Sequence, residues 1–249
     1  MSILATILAL FIGLTLGLLG GGGSILTVPV FVYALGLDPK RAIAMSLPVV
    51  GGAAFIGALQ HWRHQNVVLR TALPFGAAAM LGAFVGARLA GGLNGQVQLA
   101  IFSVVMIAAA FSMLRSARAT EPTLPPATRH WSALLGIGLG VGSVTGLVGA
   151  GGGFLIVPAL VILGGLSMPQ AVGTSLLVIA MNTTAGFLGY RGTVDIEWPL
   201  VLHFGGVAAL GILVGSSLVP YVPHRALKQA FAVLLAVVGS LILYQHLTL

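Results

Sequence analysis

The apolar run from residue 3 to residue 35 is too long to cross a bilayer once. As one helix it would reach roughly 50 Å, against a hydrocarbon core of about 30 Å. It must break, and Gly20-Gly21-Gly22-Gly23 is where it can. In hydrocarbon a broken helix is tolerated only where its freed backbone groups face protein or a wet cavity, so the break predicts an interior cavity. The piece that follows, Ser24 to Tyr33, is short for a span and carries Pro29, which predicts a half-helix or re-entrant return.

The same stretch occurs twice. Gly20 to Pro29 has a second version at Gly149 to Pro158, and Pro158 stands 129 positions after Pro29. Without a gap, that offset carries Gly36, Ser46, Leu47, Gly57, Phe75, Gly76, Gly82, Gly86 and Phe102 onto Gly165, Ser175, Leu176, Gly186, Phe204, Gly205, Gly211, Gly215 and Phe231. The chain therefore reads as one duplicated membrane unit. Residues 1–115 form the first copy and 131–249 the second, joined by a polar, proline-rich linker over 116–130. Phe154 to Leu163, with Pro158, is the second half-helix.

Composition agrees with this reading. At 58% hydrophobic and 6% charged residues, with a mean hydropathy of +1.09, there is too little polar surface to cover a soluble globule. Apolar runs begin near 3, 43, 71 and 97, and again near 132, 170, 199 and 226. The expected fold is an all-α integral membrane protein of about eight spans, each copy opened by a glycine-broken or re-entrant helix. All four acids fall in or beside the stretches between runs, so the formal charge of +7 fits loops facing anionic headgroups, and nucleic acid is not an expected partner. The absence of cysteine rules out disulfides and thiolate chemistry. The start lacks a basic region, so the first run is expected to be retained as structure. If each opening is a hairpin, the copies are inverted. One face then holds Arg63, Arg70, Arg115, Arg118, Arg129, Arg225 and Lys228, and the other Lys40, Arg41, Arg88 and Arg191 with three of the four acids. Positive-inside counting then puts the linker inside and both termini outside.

The doubled motif Gly-x-Gly-Gly-Gly-x-x-x-Val-Pro, best seen at Gly149 to Pro158 and followed by Ala171-Val172-Gly173-Thr174-Ser175-Leu176, resembles that of the TauE/SafE family of sulfite and organosulfonate exporters. The first copy matches at Gly20 to Pro29 and at Ala42-Ile43-Ala44-Met45-Ser46-Leu47, and Tyr190-Arg191-Gly192-Thr193-Val194-Asp195 is similar to the family's second-half loop. The resemblance covers essentially the whole chain. It implies a multi-pass carrier of the bacterial inner membrane that exports a small sulfur-containing or related organic anion, without a cofactor. Met45 opposite Thr174, and Ser24 opposite Gly153, depart from strict symmetry.

Glycine at a break lets backbone approach a ligand, and the N–H groups opening the next half-helix carry partial positive charge, which makes an anion site without a basic side chain. The candidate substrate-binding positions are Gly21, Gly22, Gly23 and Ser24 in the first copy and Gly151, Gly152 and Gly153 in the second. The spaced pairs Gly13/Gly17, Gly82/Gly86 and Gly211/Gly215 read instead as helix-packing positions. Ser46, Thr174 and Ser175 offer hydroxyls that either meet substrate or bond back to the preceding turn. Asn182, beside Thr183 and Thr184, is the most polar point inside any run, with Ala53 as its counterpart, and either meets substrate or bonds one helix to another. Gln60, His61, Tyr190 and His203 are candidates for gating or proton transfer. An interfacial anchor is the favoured reading for Tyr190, and an interface-level helix contact for His203. No metal-ligand motif is present, and no carboxylate lies within a span. The expected partners are a small anion and the lipid bilayer, with a homo-oligomer left open. An anion channel and a non-transporting membrane assembly partner are the rival readings. An intramembrane enzyme is not expected, since the chain carries no His-Glu-x-x-His, Gly-x-Ser-x-Gly or Gly-Lys-Ser/Thr.

Overall fold

The computed structural model describes residues 3–118, 131–148, 151–192 and 194–248, and among these every regular element is a helix. Most of the linker lies outside the described residues, as do Gly149 and Ala150 of the second motif. Ten α-helices follow in order: α1 Ile3–Leu19, α2 Gly22–Pro29, α3 Pro39–Arg63, α4 Leu69–Ala90, α5 Gly95–Arg118, α6 Trp131–Val148, α7 Gly153–Pro158, α8 Met168–Tyr190, α9 Trp198–Leu218 and α10 His224–Thr248.

The long opening run breaks at its glycines. Gly20 takes φ +72°, a left-handed conformation that ends α1, and α2 starts two residues later. α2 then folds back along α1: a side chain on Gly23 would strike the Ile12 carbonyl and Leu16, and one on Gly22 would meet Leu19. Each short helix ends at its proline and passes into one wide π-helical turn, Val30–Ala34 after α2 and Ala159–Leu163 after α7, closed by Leu35 N–H to Val30 O at 3.1 Å and Gly164 N–H to Ala159 O at 2.9 Å. Proline supplies no N–H and crowds the carbonyl one turn back, which favours a widened turn near this point. The next helices have marked starts. The Asp38 carboxylate accepts from Lys40 N–H at 2.9 Å and Arg41 N–H at 3.3 Å at the head of α3. At the head of α8 the Ser167 N–H reaches Gln170 Oε1 at 3.4 Å.

Among the described residues, six helices are long and apolar enough to cross a membrane: α3, α4, α5, α8, α9 and α10. Beside the two breaks lie three shorter apolar pieces, Ile3–Leu19, Gly22–Ala34 and Leu134–Val148. α3 and α8 are the most enclosed spans, with 67% and 72% of their apolar windows buried, and so form the centre of the bundle.

Glycine sets the packing around that centre. Gly13 and Gly17 of α1 lie against Ala208 and Ile212 of α9, so the two helices run in the same direction. Gly142 and Gly146 of α6 lie against Ala79 and Ala83 of α4 in the same manner. On the return side, Gly211 and Gly215 meet Leu10 and Leu14, while Gly82 and Gly86 meet Leu139 and Ser143. These are backbone-to-backbone approaches that a Cβ would block. The two helix pairs repeat each other position for position after a shift of 129 residues. α3 and α8, by contrast, cross antiparallel: Gly51 meets Thr183, Gly57 meets Leu176, and Gly173 meets His61. α5 and α10 pack on each other, with Gly239 against Ser103 and Met106.

Candidate functional site

The two broken helices come together at the α3–α8 crossing. A Cβ on Gly153 would sit 2.5 Å from Gly21 Cα and 3.1 Å from Ser24 Oγ, and one on Gly151 would touch Val50, Thr183 and Ser24. Gly152, at φ +82°, leads into α7, and neither α2 nor α7 has a side-chain cap at its start. The N–H groups that open an uncapped helix have no partner within it, and at the head of α2 these come directly after the break.

One stripe of α8 faces the breaks. Ser175 Oγ lies 2.6 Å from a Cβ on Gly20, Val172 Cα 2.9 Å from the same point, Ile179 Cδ1 2.7 Å from one on Gly153, and Asn182 Nδ2 2.9 Å from one on Gly152. Positions 172, 175, 179 and 182 share a helix face by their spacing. Asn182 is only 2% exposed, and its amide donates to Thr145 Oγ1 of α6 at 2.8 Å. Its Oδ1 is buried and has no hydrogen-bond partner.

Most interior hydroxyls bond back to their own helix: Ser24 to Gly21 O at 2.7 Å, Ser46 to Ile43 O at 2.7 Å, Thr145 to Gly142 O at 3.0 Å, Ser175 to Val172 O at 2.8 Å and Thr183 to Ile179 O at 2.7 Å. Thr174 accepts from Val68 N–H at 3.0 Å and so ties α8 to the α3–α4 loop.

Several expected positions stand elsewhere. Gly22 faces Leu234 of α10, and Gly23 is pressed on α1, so both serve close packing. Gly21, Ser24, Gly151, Gly152, Gly153, Ser175 and Asn182 are the expected positions that the structure gathers at the breaks. The interfacial-anchor reading for Tyr190 does not hold: the ring is 2% exposed, its hydroxyl donates to Leu147 O at 3.1 Å and accepts from Gln98 Nε2 at 2.8 Å. Its counterpart His61 is equally enclosed, at 1% exposure, at the far end of α3. Gln60 donates to Leu213 O at 3.1 Å, and His203 pairs with Thr6 Oγ1 at 3.2 Å on an exposed face. None of these four reaches the breaks. Among the described residues, no three His, Asp or Glu side chains stand close enough together to hold a metal.

Two cavities flank the crossing. One of about 160 Å³ is lined by Pro48, Gly51, Gly52, Thr183 and Thr184. A larger one, about 330 Å³, lies at the end of α8 against Phe187, Tyr190, Arg191 and Trp198. Sequence reasoning missed Thr145 and Gln98. Thr145 has Leu16 as its counterpart and Gln98 has Leu227, so the repeat marks neither; only their polarity inside apolar runs signalled them.

Crossing helices around an enclosed line of glycine and polar positions define a multi-pass integral membrane protein, which in bacteria belongs to the inner membrane. Residues 5–242 match the family described as Sulfite exporter TauE/SafE. The chain belongs to that family and is a membrane transporter. It is 33% identical over 210 residues to a "Probable membrane transporter protein" of Xylella fastidiosa (strain 9a5c), covering 81% of this chain and 79% of the relative. It is 27% identical over 246 residues to "Probable membrane transporter protein YdhB" of Bacillus subtilis (strain 168), covering 96% and 99%. No solved structure matches the chain.

Proposed function

We propose that this protein is a secondary transporter that exports a small organic or sulfur-containing anion, of the sulfite or sulfonate class, by alternating access around its two glycine-broken helices. The observation that carries the reading is the meeting of the breaks, Gly21 with Gly153 and Gly151 with Ser24, at the crossing of the two most enclosed spans. Backbone N–H groups there form a place for anionic oxygens in a site free of buried carboxylates.

The recurrence of α1-on-α9 contacts in α6-on-α4, together with the antiparallel α3–α8 pair, supports two inverted copies related across the crossing. Inverted copies exchange conformations to open the site to one side and then the other. Arg191, at the cavity that ends α8, adds a positive group where an anion would leave or enter. The direction follows from the membrane potential. An inside-negative potential of 100 mV favours outward movement of a monovalent anion by about 2.3 kcal/mol, roughly fiftyfold in concentration.

Purified protein in vesicles loaded with sulfite, a small sulfonate or sulfate, under an inside-negative potential, tests the reading. Saturable efflux with exchange of labelled substrate is the expected result. Conductance without saturation makes the protein a channel, and no flux of any of these anions removes the sulfite or sulfonate assignment.

A further inference from the structure

The hydrogen-bond directions around Asn182 say more about the ligand than its charge. The Thr145 hydroxyl proton is committed to Gly142 O, so Thr145 Oγ1 is left as an acceptor for Asn182. This fixes which way the amide points: Nδ2 toward Thr145, Oδ1 away from it. Oδ1 is then a strong acceptor, fully enclosed and without a donor. The hydroxyls of Ser24, Ser175 and Thr183 around the breaks supply none, because their protons are held by backbone carbonyls three or four residues back. The break thus provides backbone donors at the head of α2 and, on the residue whose Nδ2 lies 2.9 Å from a Cβ on Gly152, one acceptor without a donor of its own.

We infer that the transported anion carries a hydrogen-bond donor of its own, a hydroxyl or ammonium group, and presents it to Asn182 Oδ1. The inference rests on the exporter reading and narrows its substrate class. The first copy has Ala53 and Leu16 where the second has Asn182 and Thr145, so the donor is recognised on one side of the crossing only. A site built to pair a polar group discriminates strongly against an analogue that lacks it, because the buried partner is left unsatisfied.

The test is competition between two sulfonates of equal charge and near-equal shape: 2-hydroxyethanesulfonate, and 1-propanesulfonate, in which a methyl replaces the hydroxyl. In vesicles containing the full-length protein, kcat/KM is expected to favour the hydroxyl compound by at least about tenfold. Asn182→Leu is expected to bring the two within about twofold of each other, and Thr145→Val, which frees the amide to turn, to reduce the preference severalfold. Equal transport of both sulfonates by the unaltered protein, as would follow if water satisfied Oδ1, overturns the inference alone. So does a preference that survives both substitutions. Transport of neither compound defeats the sulfonate-export reading and this inference with it. If Asn182→Leu does not insert, the ratio in the unaltered protein and in Thr145→Val decides.

Discussion

Gly153 and Gly23 belong to the same repeated motif, yet a side chain would fail at each for a different reason. At Gly153 it would strike the Gly21 backbone where the two breaks meet, whereas at Gly23 it would prise α2 from α1. Gly153→Leu is therefore expected to force the two breaks apart and lose transport, measured as vesicle flux beside detergent-solubilised yield. Gly23→Leu is expected to lose both, since overpacking against backbone costs about 1–3 kcal/mol or more. Tyr190→Phe removes one hydroxyl bridging Gln98 and Leu147, while Gln98 keeps its own bond to Leu147 O. It is expected to lower stability by about 1 kcal/mol and leave flux largely intact, which a melting curve and a flux assay will separate. At this scale the sequence was only partly legible. Glycine identity revealed the break, but not which glycine faces ligand and which faces a neighbour, because that depends on helix rotation. Tyr190 sits at a helix end, where an anchor is the ordinary expectation, and its bonds to the Gln98 amide on α5 and to Leu147 O explain its burial.

Helices were easier to place than side chains. The long apolar run could not cross once, so the break at Gly20 followed from length, and the helix starts at 39, 69, 95, 131, 168, 198 and 224 fall within a few residues of the expected apolar runs. Pairing between helices was not legible in advance. α1 packs on α9 and α6 on α4, across the two halves, whereas consecutive elements ordinarily pack together. The spaced glycines Gly82/Gly86 and Gly211/Gly215 identified packing faces without saying against what. They make the pairing testable: Gly86→Leu places a side chain against the Ser143 backbone and is expected to lower the melting temperature in detergent sharply. Gly140→Ala, with nothing within 4 Å of the added Cβ, is expected to be neutral or to stabilise by up to about 1 kcal/mol.

For the whole molecule, the helix directions put the α3–α4 loop and the start of α6 on one side, and the α4–α5 loop and the start of α9 on the other. Arg63 and Arg70 mark the first side, and Asp38, Asp195 and Glu197 the second, where Glu197 pairs with Arg41 at 2.7 Å. Since the chain has no cysteine, a single introduced thiol reports its own position. Ser132→Cys is expected to label from the cytoplasmic side only and Asn94→Cys from the outside only; labelling of both from one side defeats the inverted arrangement. The exchange of opening helices between halves also dictates how the protein is born. α1 leaves the ribosome long before its partner, which begins only at Trp198. Until α9 is synthesised, the glycine face of α1 has nothing to close on, so a chain stopped earlier presents an unpaired helix to the membrane's quality-control proteases. Neither half closes its glycine faces by itself, and α1 waits for α9 to be made.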